Sequence, residues 1–232
     1  MKLAENIMLL PIMGMGTVNL VLAWDNDHAV LIDAGFPGQA DDIIHAIEAA
    51  GLTVGDLTHL FITHQDWDHI GCVADLQKLA PNLRVMAHEE EAPYIDGRVM
   101  PIKLAARLAD YDNLTSDMQA RVNQQKAMYE NEPITIHEKL QDGTVLPMCG
   151  GIQVIHTPGH TPGHMVLLFQ RSGIMVCGDA CNIKDSTLTG SNPVFTYDMP
   201  QAEASLTKIK SFAPSGIVAY HGGYLPMNGG EL

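Results

Sequence analysis

Short apolar runs broken by turn residues fill the first third of the chain. Ile7 to Met13, Val18 to Trp24 and Ala29 to Asp33 read as strands, and Asp25-Asn26-Asp27 supplies turn chemistry between the last two. From Gly38 to Ala50 the period changes. Ile43, Ile44 and Ile47 share one face and Gly51 stops the pattern, so a helix is expected there. Leu57 to Thr63 has the look of a buried strand and runs directly into His64. Ile70 to Leu79 has helical spacing and stops before Pro81, and Leu83 to Ala87 returns to a strand pattern. Strand and helix alternate, which argues an α/β fold.

From His88 to Glu132 the texture changes. Leu104, Leu108 and Tyr111, then Met118, Val122, Gln125 and Tyr129, recur at helical spacing among mixed charges, the pattern of a helical insertion. Strand patterns resume after Pro133, at Ile134 to His137, Ile152 to His156, Met165 to Phe169 and Ile174 to Cys177. A helix over Met199 to Phe212 and a strand over Gly216 to Tyr220 close the series. Each half carries strands and then helices, which implies helices outside two packed sheets. The expected organisation is a single domain over residues 1–232, with the insertion at about 88–132.

Composition narrows the partners. Thirteen Lys+Arg against 27 Asp+Glu leave a net charge of −14, which disfavours nucleic acid and anionic lipid surfaces. No apolar run approaches the roughly 20 residues of a membrane-spanning helix, and Met1 to Asn6 lacks the pattern of an export signal. Cys72, Cys149, Cys177 and Cys181 are too scattered for a disulfide framework. A cytoplasmic protein with reduced thiols, acting on a small molecule, is the expectation. Eleven histidines are left for chemistry to explain.

The densest signal is Thr63-His64-Gln65-Asp66-Trp67-Asp68-His69, which places four metal-ligand types at a strand end. Imidazoles mixed with carboxylates suit zinc, iron or manganese, and could serve two adjacent ions; the alternative is a polar loop in which Asp68 caps the next helix. His156-Thr157-Pro158-Gly159-His160-Thr161-Pro162-Gly163-His164 presents histidines from turns that Pro and Gly stiffen. Asp179, in Cys177-Gly178-Asp179-Ala180, and His221, in Tyr220-His221-Gly222, each follow a strand. Four loops, each leaving a strand, offer His or Asp.

The order H-x-D-x-D-H, then a P-G-H-T histidine, then G-D-A and a late H-G resembles the metallo-β-lactamase superfamily. The likeness runs through essentially the whole chain, including Leu31-Ile32-Asp33-Ala34-Gly35. It implies an αββα four-layer sandwich with two divalent metal ions, zinc foremost, at one edge of the sheets. His64, Asp66 and His160 would hold the first ion, Asp68, His69 and His221 the second, and Asp179 would bridge them. Asp33 would fix the tautomer of a ligand histidine, and His164 would stand behind the ligands. Asp68 would also orient the attacking water. The implied activity is hydrolysis of a small ester, lactone or thioester by a water activated at the dinuclear centre.

Asp66 departs from the pattern, because hydrolytic members usually carry a second histidine there. The added negative charge keeps the pKa of a bound water higher and makes iron or manganese more acceptable beside zinc. An iron redox protein of the same fold and a non-catalytic metal sensor are therefore the alternatives. Glyoxalase II-like members carry a C-terminal helical domain, for which the eleven residues after His221 leave no room. Lactonases of similar size place a phenol three residues past the bridging Asp, where this chain has Asn182; Trp67 can face substrate or pack. The insertion is read as either a lid or a dimerising element, so a homodimer stays open. Cys181 is read as able to approach the metals, and His28, His45, His59, His88 and His137 as surface or loop residues.

Overall fold

Alternation along the strands sets the layers. The computed structural model describes residues 1–227. Its first sheet has seven strands in chain order: β1 (Lys2–Ala4), β2 (Ile7–Met13), β3 (Thr17–Trp24), β4 (Ala29–Ile32), β5 (His59–Ile62), β6 (Arg84–His88) and β7 (Glu138–Leu140). The pairs β4–β5, β5–β6 and β6–β7 are parallel. Helices α1 (Ala40–Ala49), α2 (Trp67–Ile70) and α3 (Val73–Leu79) lie in the connections. In the second half β8 (Val145–Leu146), β9 (Ile152–His156), β10 (Met165–Phe169) and β11 (Ile174–Val176) join β14 (Gly216–Ala219) and β15 (Gly223–Pro226) in a six-stranded sheet. A two-stranded hairpin, β12 (Cys181–Lys184) and β13 (Thr187–Gly190), interrupts it in sequence.

On β3 and β4, Leu20, Leu22 and Leu31 point to the helices α1 and α3, while Val21, Val30 and Ile32 point to the other sheet. There they meet Val154, Leu167, Phe169 and Val176. On the far side of the second sheet Ile155, Val166, Met175 and Ile217 pack with Ile209 of α7 (Met199–Ser211). Period-2 alternation in strands buried on both faces thus generates the αββα sandwich. The stretch over residues 88–132 is helical as expected, with α4 (Ala92–Ile95), α5 (Ile102–Ala109) and α6 (Ser116–Asn131). Among the described residues no helix is long and apolar enough to cross a membrane.

Several expectations need correction. Ile134 to His137 is not a strand; β7 starts at Glu138. Ile134 and Ile136 pack on the helical side of the first sheet, Thr135 is held at both main-chain polar groups by the Gln77 amide, and Val85 N–H donates to His137 Nδ1. One main-chain bond remains, from His137 N to Val85 O at 2.8 Å, and side-chain bonds take the place of the rest of a ladder. The helix expected over Ile70 to Leu79 is broken after Ile70. The main-chain N–H of Gly71 donates to Gly35 O at 2.9 Å and that of Cys72 to Ala34 O at 3.0 Å. A Cβ at Gly71 would stand 2.2 Å from Pro37 N, so this crossing needs glycine. Strands β1, β8, β12, β13 and β15 carry no signal that the hydrophobic pattern reveals. The β12–β13 turn uses Asp185 and Ser186, both with positive φ (51° and 59°), the mirror-image hairpin geometry without its usual Asn-Gly mark.

Asp25 joins the turn before β4 to the second half of the chain, accepting from Cys149 N at 2.6 Å. Burial pushes its carboxyl up, but the main-chain N–H groups of Cys149, Asp27 and His28 outweigh that and hold it down at about 2. A depressed carboxyl contributes stability above its ordinary pKa of 3.8 and loses it as pH falls through about 2. Asp25→Ala should therefore lower stability near neutral pH. The gap from the parent protein should narrow on acidification into that window, as followed by urea unfolding at a series of pH values.

Candidate metal centre

The ligand candidates stand where strands of both sheets end. Asp33 follows β4, Thr63 and His64 follow β5, His160 lies in the turn between β9 and β10, Asp179 follows β11 and His221 follows β14. His64, Asp66, His160 and Asp179 bring ligand atoms within 4.8 Å of one another, and so do Asp68, His69 and His221. Asp179 spans the two groups. Its Oδ1 is 3.6 Å from His69 Nε2, and its Oδ2 is 3.5 Å from His160 Nε2 and 3.4 Å from His221 Nε2. Asp68 Oδ2 faces His221 Nε2 at 3.2 Å and His69 Nε2 at 3.8 Å.

Each of the three buried ligand imidazoles is oriented through its other nitrogen. His69 Nδ1 meets Asp33 Oδ2 at 2.9 Å, His64 Nδ1 meets Thr63 Oγ1 at 3.1 Å, and His160 Nδ1 meets Ser191 Oγ at 3.0 Å. Asp33 is fully enclosed, has positive φ (63°), and also accepts from Thr63 N at 2.8 Å. This leaves His64 Nε2 and His69 Nε2 buried without a hydrogen-bond partner, an expensive arrangement that a bound cation relieves. Burial, followed by the neighbouring His69, drives His64 down to about 4, so it presents a neutral lone pair. The donor set, four imidazoles and three carboxylates, fits two divalent ions. His64, Asp66, His160 and Asp179 would hold one, and Asp68, His69, His221 and the shared Asp179 the other.

His164 stands behind the ligands. Its Nδ1 meets Thr157 Oγ1 at 2.9 Å and its Nε2 accepts from Asp179 N at 3.2 Å, which anchors that carboxylate's main chain. Trp67 lines the cavity above the centre and packs edge-on against Phe36. Asn182 does not line that cavity; its Oδ1 accepts from the adjacent Ile183 N. Cys177 and Cys181 pack in the core between the second sheet and α7, and neither joins the groups of ligand atoms. His88 is buried rather than superficial and stacks on His156 at 4.1 Å.

Sequence reasoning missed several positioning residues. Tyr220 lies against His69, with ring centroids 3.8 Å apart and planes tilted by 31°, and donates to Asp68 O at 2.6 Å. Gln65, between two ligands, is tied three ways: its Oε1 accepts from Ile102 N, its carbonyl from Tyr129 Oη, and its Nε2 donates to Glu91. Buried Glu91 also accepts from Gln65 N and Gly163 N, joining the two ligand loops. Burial pushes its carboxyl up to about 7 against those hydrogen bonds. Lys103, from α5, contacts Asp66 Oδ2 and lies 2.8 Å from His160 Nε2. Burial raises the Asp66 carboxyl, but Lys103 and then His64 outweigh it and hold Asp66 well below the usual range. A lysine 37 residues downstream leaves no local pattern beside Asp66.

The sequence profile described as the metallo-beta-lactamase superfamily matches residues 13–221. The chain belongs to this superfamily. It is 29% identical over 216 residues to the probable metallo-hydrolase YflN of Bacillus subtilis strain 168, covering 86% of this chain and 76% of that protein. It also resembles the structure of a metallo-beta-lactamase family protein from Thermus thermophilus, with a TM-score of 0.76 and 22% identity over 97% of this chain and 76% of that one. TTHA1623, solved in a di-iron-bound form, gives a TM-score of 0.66 and 24% identity over 93% of each chain. These superfamily structures share the sandwich described above.

Two substitutions test the site's supports. Glu91→Ala strands the buried Gln65 amide and two main-chain N–H groups and should cost about 3 kcal/mol in urea unfolding. Lys103→Met removes the ammonium that an ion in the first group would displace. The weaker of two bound ions should then tighten on the order of tenfold in chelator competition.

Proposed function

We propose that this protein is a metal-dependent hydrolase of small esters, lactones or thioesters that works with two divalent ions. The observation that carries the reading is the pair of ligand groups that Asp179 spans, with Asp66, Asp68, Asp179 and His221 lining one cavity of about 580 Å³. The named activity of the Bacillus relative supports it. Bound ions supply the positive charge that lowers the pKa of a water and stabilises oxygen charge developing on the carbonyl.

The chain's own residues do the rest. Asp68 lines the cavity beside His221 and takes the proton of the attacking water as the new C–O bond forms. The bond from the carbonyl carbon to the leaving oxygen or sulfur breaks, and that atom leaves with the proton that Asp68 took up. Asp33, Tyr220 and His164 keep His69, Asp68 and Asp179 in place while charge moves. Zinc is the expected ion, and the carboxylate of Asp66 admits iron or manganese. Four free thiols support a cytoplasmic setting.

A di-iron redox protein is the second reading, and Asp66 is what favours it. Elemental analysis of untagged protein separates the two. About two zinc ions per chain, with ester or lactone turnover that falls at least about a thousandfold in His69→Ala and Asp179→Ala, is the expected result. Turnover that survives both changes would sink the hydrolase. Iron with a spectrum that changes on reduction would favour the redox reading. Tight metal binding with no turnover on ester, lactone and thioester panels would make the centre a sensor.

A further inference from the structure

Both signs of charge line the cavity. Asp66, Asp68 and Asp179 come from the ligand groups, whereas α5 and α6 contribute Arg107 and Arg121. Neither guanidinium has a carboxylate within 4.0 Å among the described residues. Arg107 makes a 3.3 Å contact with the neutral Gln125 amide. In a chain with 13 basic and 27 acidic residues, two unpaired arginines facing one cavity run against the overall charge. Their donors are therefore free for a ligand that enters the cavity.

Spacing puts them there together. Arg107 follows Lys103 and Leu104 by four and three residues on α5, and Arg121 follows Met118 by three and precedes Gln125 by four on α6, so each shares a helix face with residues that line the cavity. Leu104 and Val122 are buried. A ligand lying from the metal ligands to the arginines passes over apolar surface and ends at two planar donors, whose geometry matches a carboxylate.

We propose that Arg107 and Arg121 form an anion subsite, and that the substrate is an ester, lactone or thioester bearing a carboxylate at the end of a short apolar segment. This rests on the hydrolase reading above. Hydrolysis adds water across the scissile bond and yields a carboxylic acid and an alcohol or thiol, so a substrate whose acyl part carries the tail leaves as a dicarboxylate. The arginines take no part in that chemistry. They fix the far end so that the carbonyl lies over the metal ligands.

The test uses two esters of one size on the metal-loaded protein: the mono-p-nitrophenyl ester of glutaric acid, with a free carboxylate, and neutral p-nitrophenyl valerate. The parent protein should favour the carboxylate ester by at least about tenfold in kcat/KM, chiefly through KM. The preference should fall towards one in the Arg107→Met/Arg121→Met double variant and return in part in the Lys/Lys double variant, which keeps the charge. Turnover of both esters without preference overturns the anion subsite and leaves the hydrolase standing. Turnover of neither counts against the hydrolase, and calorimetry with adipate then decides the subsite alone. Adipate binding at least about tenfold weaker in the Met/Met variant supports it; equal binding, or none to the parent protein, overturns it.

Discussion

Three carboxylates and four imidazoles converge at one edge of the sandwich, and the surroundings are organised around that concentration of unsatisfied charge. Asp66, Asp68 and Asp179 approach one another through shared histidine neighbours, in a place where bulk water cannot solvate all of them. Such a cluster is tolerable only if cations compensate it. Lys103 partly does so from the insertion, and two divalent ions would do so completely. The pinned Nδ1 atoms of His64, His69 and His160 leave the opposite nitrogens aimed at the same small volume.

That convergence ties the insertion to the catalytic edge through a few contacts. Gln65 sits within the ligand loop yet receives bonds from the start of α5 and the last turn of α6, while Glu91 bridges the same loop to the turn carrying His160. The helices that shape the cavity are thus registered against the ligand loop itself. A change of sequence on the cavity-facing sides of α5 and α6 can alter what is admitted without disturbing the strands that hold the ligands.

Much of this is legible in the residue order. Strands buried on both faces, such as Val18 to Trp24, announce themselves as unbroken apolar runs, and ligands at their ends fall into short motifs. The positioning residues do not announce themselves, for physical reasons. Tyr220, Glu91 and Lys103 act across 152, 26 and 37 residues, on the Asp68 carbonyl, Gln65 and Asp66, so no local spacing encodes them. Ile134 to His137 resembles a strand because Ile134 and Ile136 alternate, yet alternation records which side chains are buried, not whether main-chain partners are free. Gly71 carries no local mark because the close approach that requires it involves Gly35 to Pro37, more than thirty residues away.

The clasp between Tyr220 and the ligand loop has a consequence for how the protein is made. Asp68 and its partner Tyr220 are separated by 152 residues, so the loop holding His64 to His69 leaves the ribosome long before His221 and the hydroxyl that steadies it. At roughly 5 to 20 residues per second the delay is on the order of ten seconds. During that interval the nascent chain offers imidazoles and carboxylates as an incomplete ligand set. The full candidate ligand set is therefore present only after His221 has emerged, by which point every strand of the first sheet has been synthesised.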